Sequence, residues 1–218
     1  VNPKPLKQVD LRSDAGRLES LYRQIDNPRG AAVVCHPHPL HGGTLHNKVV
    51  FRAAKGFERS NVATLRFNFR GAGTSQGAHD EGAGEQRDVE AAVDWLQRRH
   101  PGKPLILGGF SFGAWVASKV GCLRNDIAAM FLIGAPVNKY DLGYLKHCRY
   151  PLLFLQGADD DFGDVDVLGS LVEKCYRAEL LVVSGADHFF KNQVEVVEET
   201  VREWAAGILD EVSTTSAF

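Results

Sequence analysis

No apolar run in this chain approaches the 20 or so residues a helical bilayer span requires, so an integral helical membrane protein is excluded. The polar opening, residues 1–10, also lacks the apolar centre of a signal peptide. Charge of one sign is equally scarce. Lys and Arg number 25 against 27 Asp and Glu, for a formal net charge of -2, and no local run of like charge stands out. Nothing therefore draws the chain toward nucleic acid or an acidic membrane. Cys35, Cys122, Cys148 and Cys175 are scattered without Cys-x-x-Cys spacing, which predicts free thiols in a cytoplasmic protein rather than a disulfide framework or a zinc site. The glycine-rich stretch Arg70-Gly71-Ala72-Gly73-Thr74-Ser75-Gln76-Gly77 fits neither a Walker loop nor the dinucleotide fingerprint, and a polar stretch follows it. It reads as a tight connection, and no cofactor is implied.

What is present suits one globular domain over residues 1–218, with 44% hydrophobic and 24% charged residues and enough chain to bury a core. Two segments, 6–11 and 17–25, flank the turn residues Ser13-Asp14-Ala15-Gly16 and predict an antiparallel hairpin. Beyond it, apolar strands at 31–35, 62–69, 104–110, 127–133, 152–155 and 179–183 alternate with helical patterns. Strands apolar on every residue are those buried on both faces. The prediction is a three-layer α/β/α sandwich with a mostly parallel sheet and right-handed crossovers. Ligands of such sheets sit outside the carboxyl ends of the strands.

One junction stands out chemically. The strand at 104–110 runs into Gly109-Phe110-Ser111-Phe112-Gly113 and then into a helical stretch. A serine on such a strand-turn-helix is held at strained dihedrals, with small neighbours that let strand and helix approach, and the helix start offers free amides to developing negative charge. Ser111 is thus a candidate nucleophile. A serine hydroxyl needs a base, and the base needs an orienting carboxylate. His188 follows the last strand, and the acidic loop after Leu155 offers Asp159, Asp160, Asp161, Asp164 and Asp166. The loop His36-Pro37-His38-Pro39-Leu40-His41-Gly42-Gly43-Thr44 also follows a strand. Phe112 would donate one oxyanion amide, and since Pro37 and Pro39 have no N–H, the second falls to His38 or Leu40. The four histidines His36, His38, His41 and His46 offer a rival reading as a metal-dependent hydrolase, although interleaved prolines constrain them. A non-catalytic binding protein is the third reading.

The order Ser, acid, His with Gly-x-Ser-x-Gly resembles the α/β-hydrolase superfamily. The loop at 36–44, the following Asn47-Lys48-Val49-Val50, and Arg66-Phe67-Asn68-Phe69-Arg70-Gly71-Ala72-Gly73 resemble small lidless bacterial hydrolases related to dienelactone hydrolases. The resemblance covers about Gly30 to Trp204. It implies a serine esterase-type hydrolase acting on a small acyl ester or thioester. It places the acid three residues past Gly157, at Asp160, with Asp159 the next candidate, and the second oxyanion amide at His38, with Leu40 close behind. The segment 135–150 is too short for a lid. Its apolar residues Val137, Leu142, Tyr144 and Leu145 would wall a small pocket and limit the substrate to short acyl chains.

Overall fold

A computed structural model describes residues 5–215. The chain begins with four short strands, β1 (Lys7–Gln8), β2 (Leu11–Ser13), β3 (Gly16–Leu18) and β4 (Ser20–Arg23). β5 (Gly30–Cys35), helix α1 (Lys48–Arg59), β6 (Val62–Phe67), α2 (Ala83–Arg99), β7 (Leu105–Phe110), α3 (Phe112–Leu123), β8 (Ala129–Ile133), β9 (Leu152–Gly157), α4 (Val165–Val172), β10 (Ala178–Val183) and α5 (Val194–Thr215) then alternate. Eight strands form one sheet in the order β1-β4-β6-β5-β7-β8-β9-β10, with every neighbour from β6 to β10 parallel.

The central strands β5 to β9 are buried at every residue, as their mainly apolar sequences predict, with Thr64 and Arg66 of β6 and Gln156 of β9 the buried polar exceptions. Each face of the sheet has its own core. On one side Val49, Ala53 and Phe57 of α1 meet Val197, Val201 and Ala205 of α5. On the other, Val89 and Val93 of α2 and Val116 and Val120 of α3 pack over Leu65, Leu107 and Leu132. After β5 the chain turns outward to β6 and then returns to the opposite side of β5 as β7, so the strand order reverses between β5 and β7. The carboxyl ends of those two strands open a crevice there.

The antiparallel amino-terminal hairpin is present and runs through two ladders: β2 and β3 pair across the turn at 13–16 as a two-stranded ribbon, and β1 pairs antiparallel with β4 in the large sheet. Leu11 and Leu18 turn inward to the core beneath α2, whereas Lys7 and Gln8 stay in solvent. One expectation needs correction: the four cysteines are not all free. Cys122 at the end of α3 and Cys148, 26 residues later, are joined in a disulfide with Cα atoms 5.2 Å apart, because the short 3-10 turn Gly143–His147 folds back onto α3. Linear spacing does not report that approach. Cys35 and Cys175 remain thiols. No helix among the described residues is long and apolar enough to cross a membrane.

Candidate active site

Ser111 occupies the turn between β7 and α3 with φ 56° and ψ -121°, a conformation that costs a non-glycine residue about 1–3 kcal/mol. Its amide donates to the Ile133 carbonyl at 2.9 Å, which pins the turn to β8. Gly109 is required here, because a Cβ on it would lie 2.5 Å from the Cys35 carbonyl oxygen of the neighbouring strand. The structure brings His188 and Asp160 to this serine. His188 Nε2 lies 2.9 Å from Ser111 Oγ, and His188 Nδ1 lies 2.7 Å from Asp160 Oδ2. Asp160 Oδ1 accepts from the Phe162 amide at 2.8 Å, and Oδ2 accepts a second bond from Gln156 Nε2 at 2.6 Å. Gln156 Oε1 is taken by the Ala135 amide at 2.8 Å, so the amide nitrogen must face Asp160. With Asp160 acting as acceptor, Nδ1 of His188 carries the proton and the Nε2 lone pair faces Ser111. Asp159 and Asp161 are exposed beside the buried Asp160. Asp164 instead caps α4, accepting from the Asp166 and Val167 amides at 2.9 and 3.0 Å.

Two backbone amides bordering the cleft have no acceptor in regular structure. Phe112 is the first residue of α3, where an N–H has no intrahelical acceptor. The His38 amide donates to no atom among the described residues, whereas the Leu40 amide is engaged by His38 Nδ1 at 3.3 Å. The rings of His38 and Phe112 lie 4.8 Å apart. A serine hydroxyl, an imidazole and a carboxylate in one hydrogen-bonded chain form an arrangement suited to acyl transfer.

Comparison with known proteins shows the family and the fold. Residues 34–215 match the model of the alpha/beta hydrolase domain family. The chain belongs to that family. An uncharacterized protein of Rickettsia prowazekii (strain Madrid E) is 37% identical over 211 residues, 91% of this chain and 88% of its own. An alpha-beta serine hydrolase homologue from Coxiella burnetii superposes with a TM-score of 0.84 at 32% identity, covering 93% of this chain and 98% of that one. A Xanthomonas campestris a/b serine hydrolase without a lid gives 0.83 at 28% identity, covering 93% and 94%.

In this α/β hydrolase the site opens into a cleft of about 490 Å³. One wall is the loop after β5, with Pro37, His38, His41, Gly42 and Gly43, joined by Asn47. The other is Pro136, Lys139, Tyr140, Phe162 and Phe189. The apolar residues expected from segment 135–150 are elsewhere. Leu142 and Leu145 are in the core, Val137 packs against it, and the Tyr144 hydroxyl is bound to Ser118 Oγ at 2.7 Å. The 3-10 turn that carries Tyr144 and Leu145 packs on α3 instead of lining the cleft. Gln156, Tyr140, Phe162 and Phe189 were not anticipated. Only Gln156 left a signal, as the lone polar side chain inside the apolar strand β9.

The histidine cluster is divided by its own hydrogen bonds. His36 is fully buried; its Nε2 accepts from the Phe69 amide at 2.9 Å, so Nδ1 carries the hydrogen and donates to the Pro37 carbonyl at 2.6 Å. Neither nitrogen is left to ligate a metal. His46 is exposed, and among the described residues no group of three or more His, Cys, Asp or Glu is disposed to hold an ion. Burial lowers the His36 pKa from 6.5 to about 4. A histidine held neutral in this way stabilises the fold fully above its unfolded pKa, and the contribution is lost as pH falls through about 4. Unfolding titrations between pH 7 and 4 should show about 3 kcal/mol of pH-dependent loss from this residue. His36→Gln should flatten that limb relative to wild type, and an unchanged slope would show that His36 does not cause it.

Proposed function

We propose that this α/β hydrolase cleaves carboxylic esters or thioesters through an acyl-serine intermediate. The observation that carries the reading is the unbroken hydrogen-bond chain from Ser111 Oγ through His188 to Asp160, at 2.9 and 2.7 Å. Ser111 Oγ attacks the carbonyl carbon as His188 Nε2 takes its proton. Asp160 holds the ring in its tautomer and stabilises the imidazolium that forms. The carbonyl oxygen becomes an oxyanion, held by the Phe112 and His38 amides; Leu40 is the weaker candidate because its amide already has an acceptor. His188 returns the proton to the leaving oxygen or sulfur as that bond breaks. Water then repeats the sequence on the acyl-serine and releases the acid. Only the neutral ring can take the first proton.

The cleft supports a preference for short linear acyl chains. A chain that keeps entering apolar surroundings gains roughly 0.8 kcal/mol per methylene, about fourfold in kcat/KM. No valine, leucine, isoleucine or methionine lines this cleft, so the gain should end early. Across p-nitrophenyl esters, kcat/KM should stop rising by about six acyl carbons, with no jump above the critical micelle concentration. Continued increase past about eight carbons at that increment would remove the short-chain preference.

A further inference from the structure

The rings around the site fall into two groups. One runs from His38 through Phe112 to Tyr140, whose ring is fixed by stacking on Trp115 with centroids 4.1 Å apart and planes at 15°. The other is built on His188, with Phe162 at 4.6 Å and Phe189 at 5.2 Å. Tyr140, Phe162 and Phe189 all line the cleft, on the wall facing the loop after β5. Phe162 and Phe189 are 37% and 58% exposed, although Phe190 next along is wholly buried. Their backbone is nonetheless fixed. The Phe162 amide is bound to Asp160, and the Phe189 amide to Asp187 Oδ1 at 3.1 Å. Two large apolar rings are thus held in solvent beside the cleft.

Their position assigns them to one end of the substrate. If His188 returns a proton to the leaving oxygen, the leaving group must pass that imidazole, and of the three phenylalanine rings packed on it Phe110 is buried while Phe162 and Phe189 are exposed toward the cleft. We propose that the leaving-group side of the cleft is a subsite for a planar aromatic group, so that the preferred substrates are esters of short acids with aryl-bearing alcohols. This inference rests on the acyl-serine reading. Aromatic rings gain from one another beyond the area they bury, through edge-to-face and offset-stacked contacts at 4.5–7 Å. With no branched aliphatic side chain lining the cleft, a saturated alcohol lacks a matched wall. Phe162 and Phe189 offer a flat group ring surface beside His188.

Benzyl acetate and cyclohexylmethyl acetate test this. They share an acyl group and an alcohol class and are close in size, but the saturated ring is the more hydrophobic. Because kcat/KM covers steps only through acylation, it reports the alcohol portion. The full chain should favour benzyl acetate about tenfold, the range expected of one or two ring contacts. Phe162→Leu with Phe189→Leu, which keeps apolar bulk but removes both rings, should bring the ratio to one or below. A wild-type ratio at or below one, with Ser111 still labelled by a fluorophosphonate, overturns the aromatic subsite and leaves the acyl-serine reading intact. A tenfold ratio that survives the double substitution overturns the assignment to these two rings. Failure of both esters and of the probe overturns the acyl-serine reading and the subsite with it.

Discussion

A fluorophosphonate should add to the wild-type chain once, at Ser111, and Ser111→Ala should abolish the adduct and lower ester turnover by about four to six orders of magnitude. The loss is large because base and acid act only through this oxygen. His188 Nε2 faces Ser111 Oγ at 2.9 Å, and without that hydroxyl the imidazole has no proton to take and the substrate has no nucleophile. The fold should tolerate the change. The turn is held by backbone bonds, from the Ser111 amide to Ile133 and from the Ala114 and Trp115 amides to the Ser111 carbonyl, and alanine keeps all three. Intact mass after labelling and p-nitrophenyl acetate hydrolysis measure the two effects. If the alanine variant retains most of its rate, or chelation by EDTA stops the wild type while the probe does not react, a metal-dependent reaction replaces the acyl-serine one. A wild type inert to activated esters and to the probe favours a binding protein.

Asp160→Asn should cost about four orders of magnitude in kcat with little change in KM. The carboxylate accepts on Oδ2 from both His188 Nδ1 and Gln156 Nε2, and on Oδ1 from the Phe162 amide. An asparagine in the same place has one acceptor oxygen and one NH2 for these three donors. If the NH2 faces His188, the ring must take the other tautomer and present N–H, in place of a lone pair, to Ser111. If the oxygen faces His188, the NH2 confronts the Phe162 amide. Asp159→Asn and Asp161→Asn should change kcat by less than about threefold, because exposed charges away from the reaction contribute little. The opposite ranking would move the acid by one position along the loop.

Much of the architecture was legible because its signals are local. The strand at 31–35 reads as buried on both faces because every residue is apolar, and β5 is buried at every residue in the centre of the sheet. The junction at 109–113 reads as strand, turn and helix because glycines flank a serine between two apolar patterns, and Ser111 stands there at φ 56°. His188 was nameable from its place after the last strand, whereas five aspartates shared the loop after β9 and only the family resemblance singled out Asp160. That they meet Ser111 at hydrogen-bond distance is a matter of tertiary structure, since 77 residues separate Ser111 from His188 and 28 separate Asp160 from His188.

The amino-acid sequence by itself determined which segments become strands and helices, which faces they bury, and which loops gather at the carboxyl rim, because hydrophobic periodicity and turn residues act over a few positions. Only the tertiary structure decided the contacts that depend on how distant loops are aimed. It joined Cys122 to Cys148, ran the amino-terminal hairpin through two ladders, turned Leu142 and Leu145 into the core, and set Gln156 behind Asp160. It also left Phe162 and Phe189 standing at the mouth of the cleft. A loop side chain's direction follows from dihedrals fixed by packing and hydrogen bonds far along the chain, and a one-residue change in that path exchanges core for cleft.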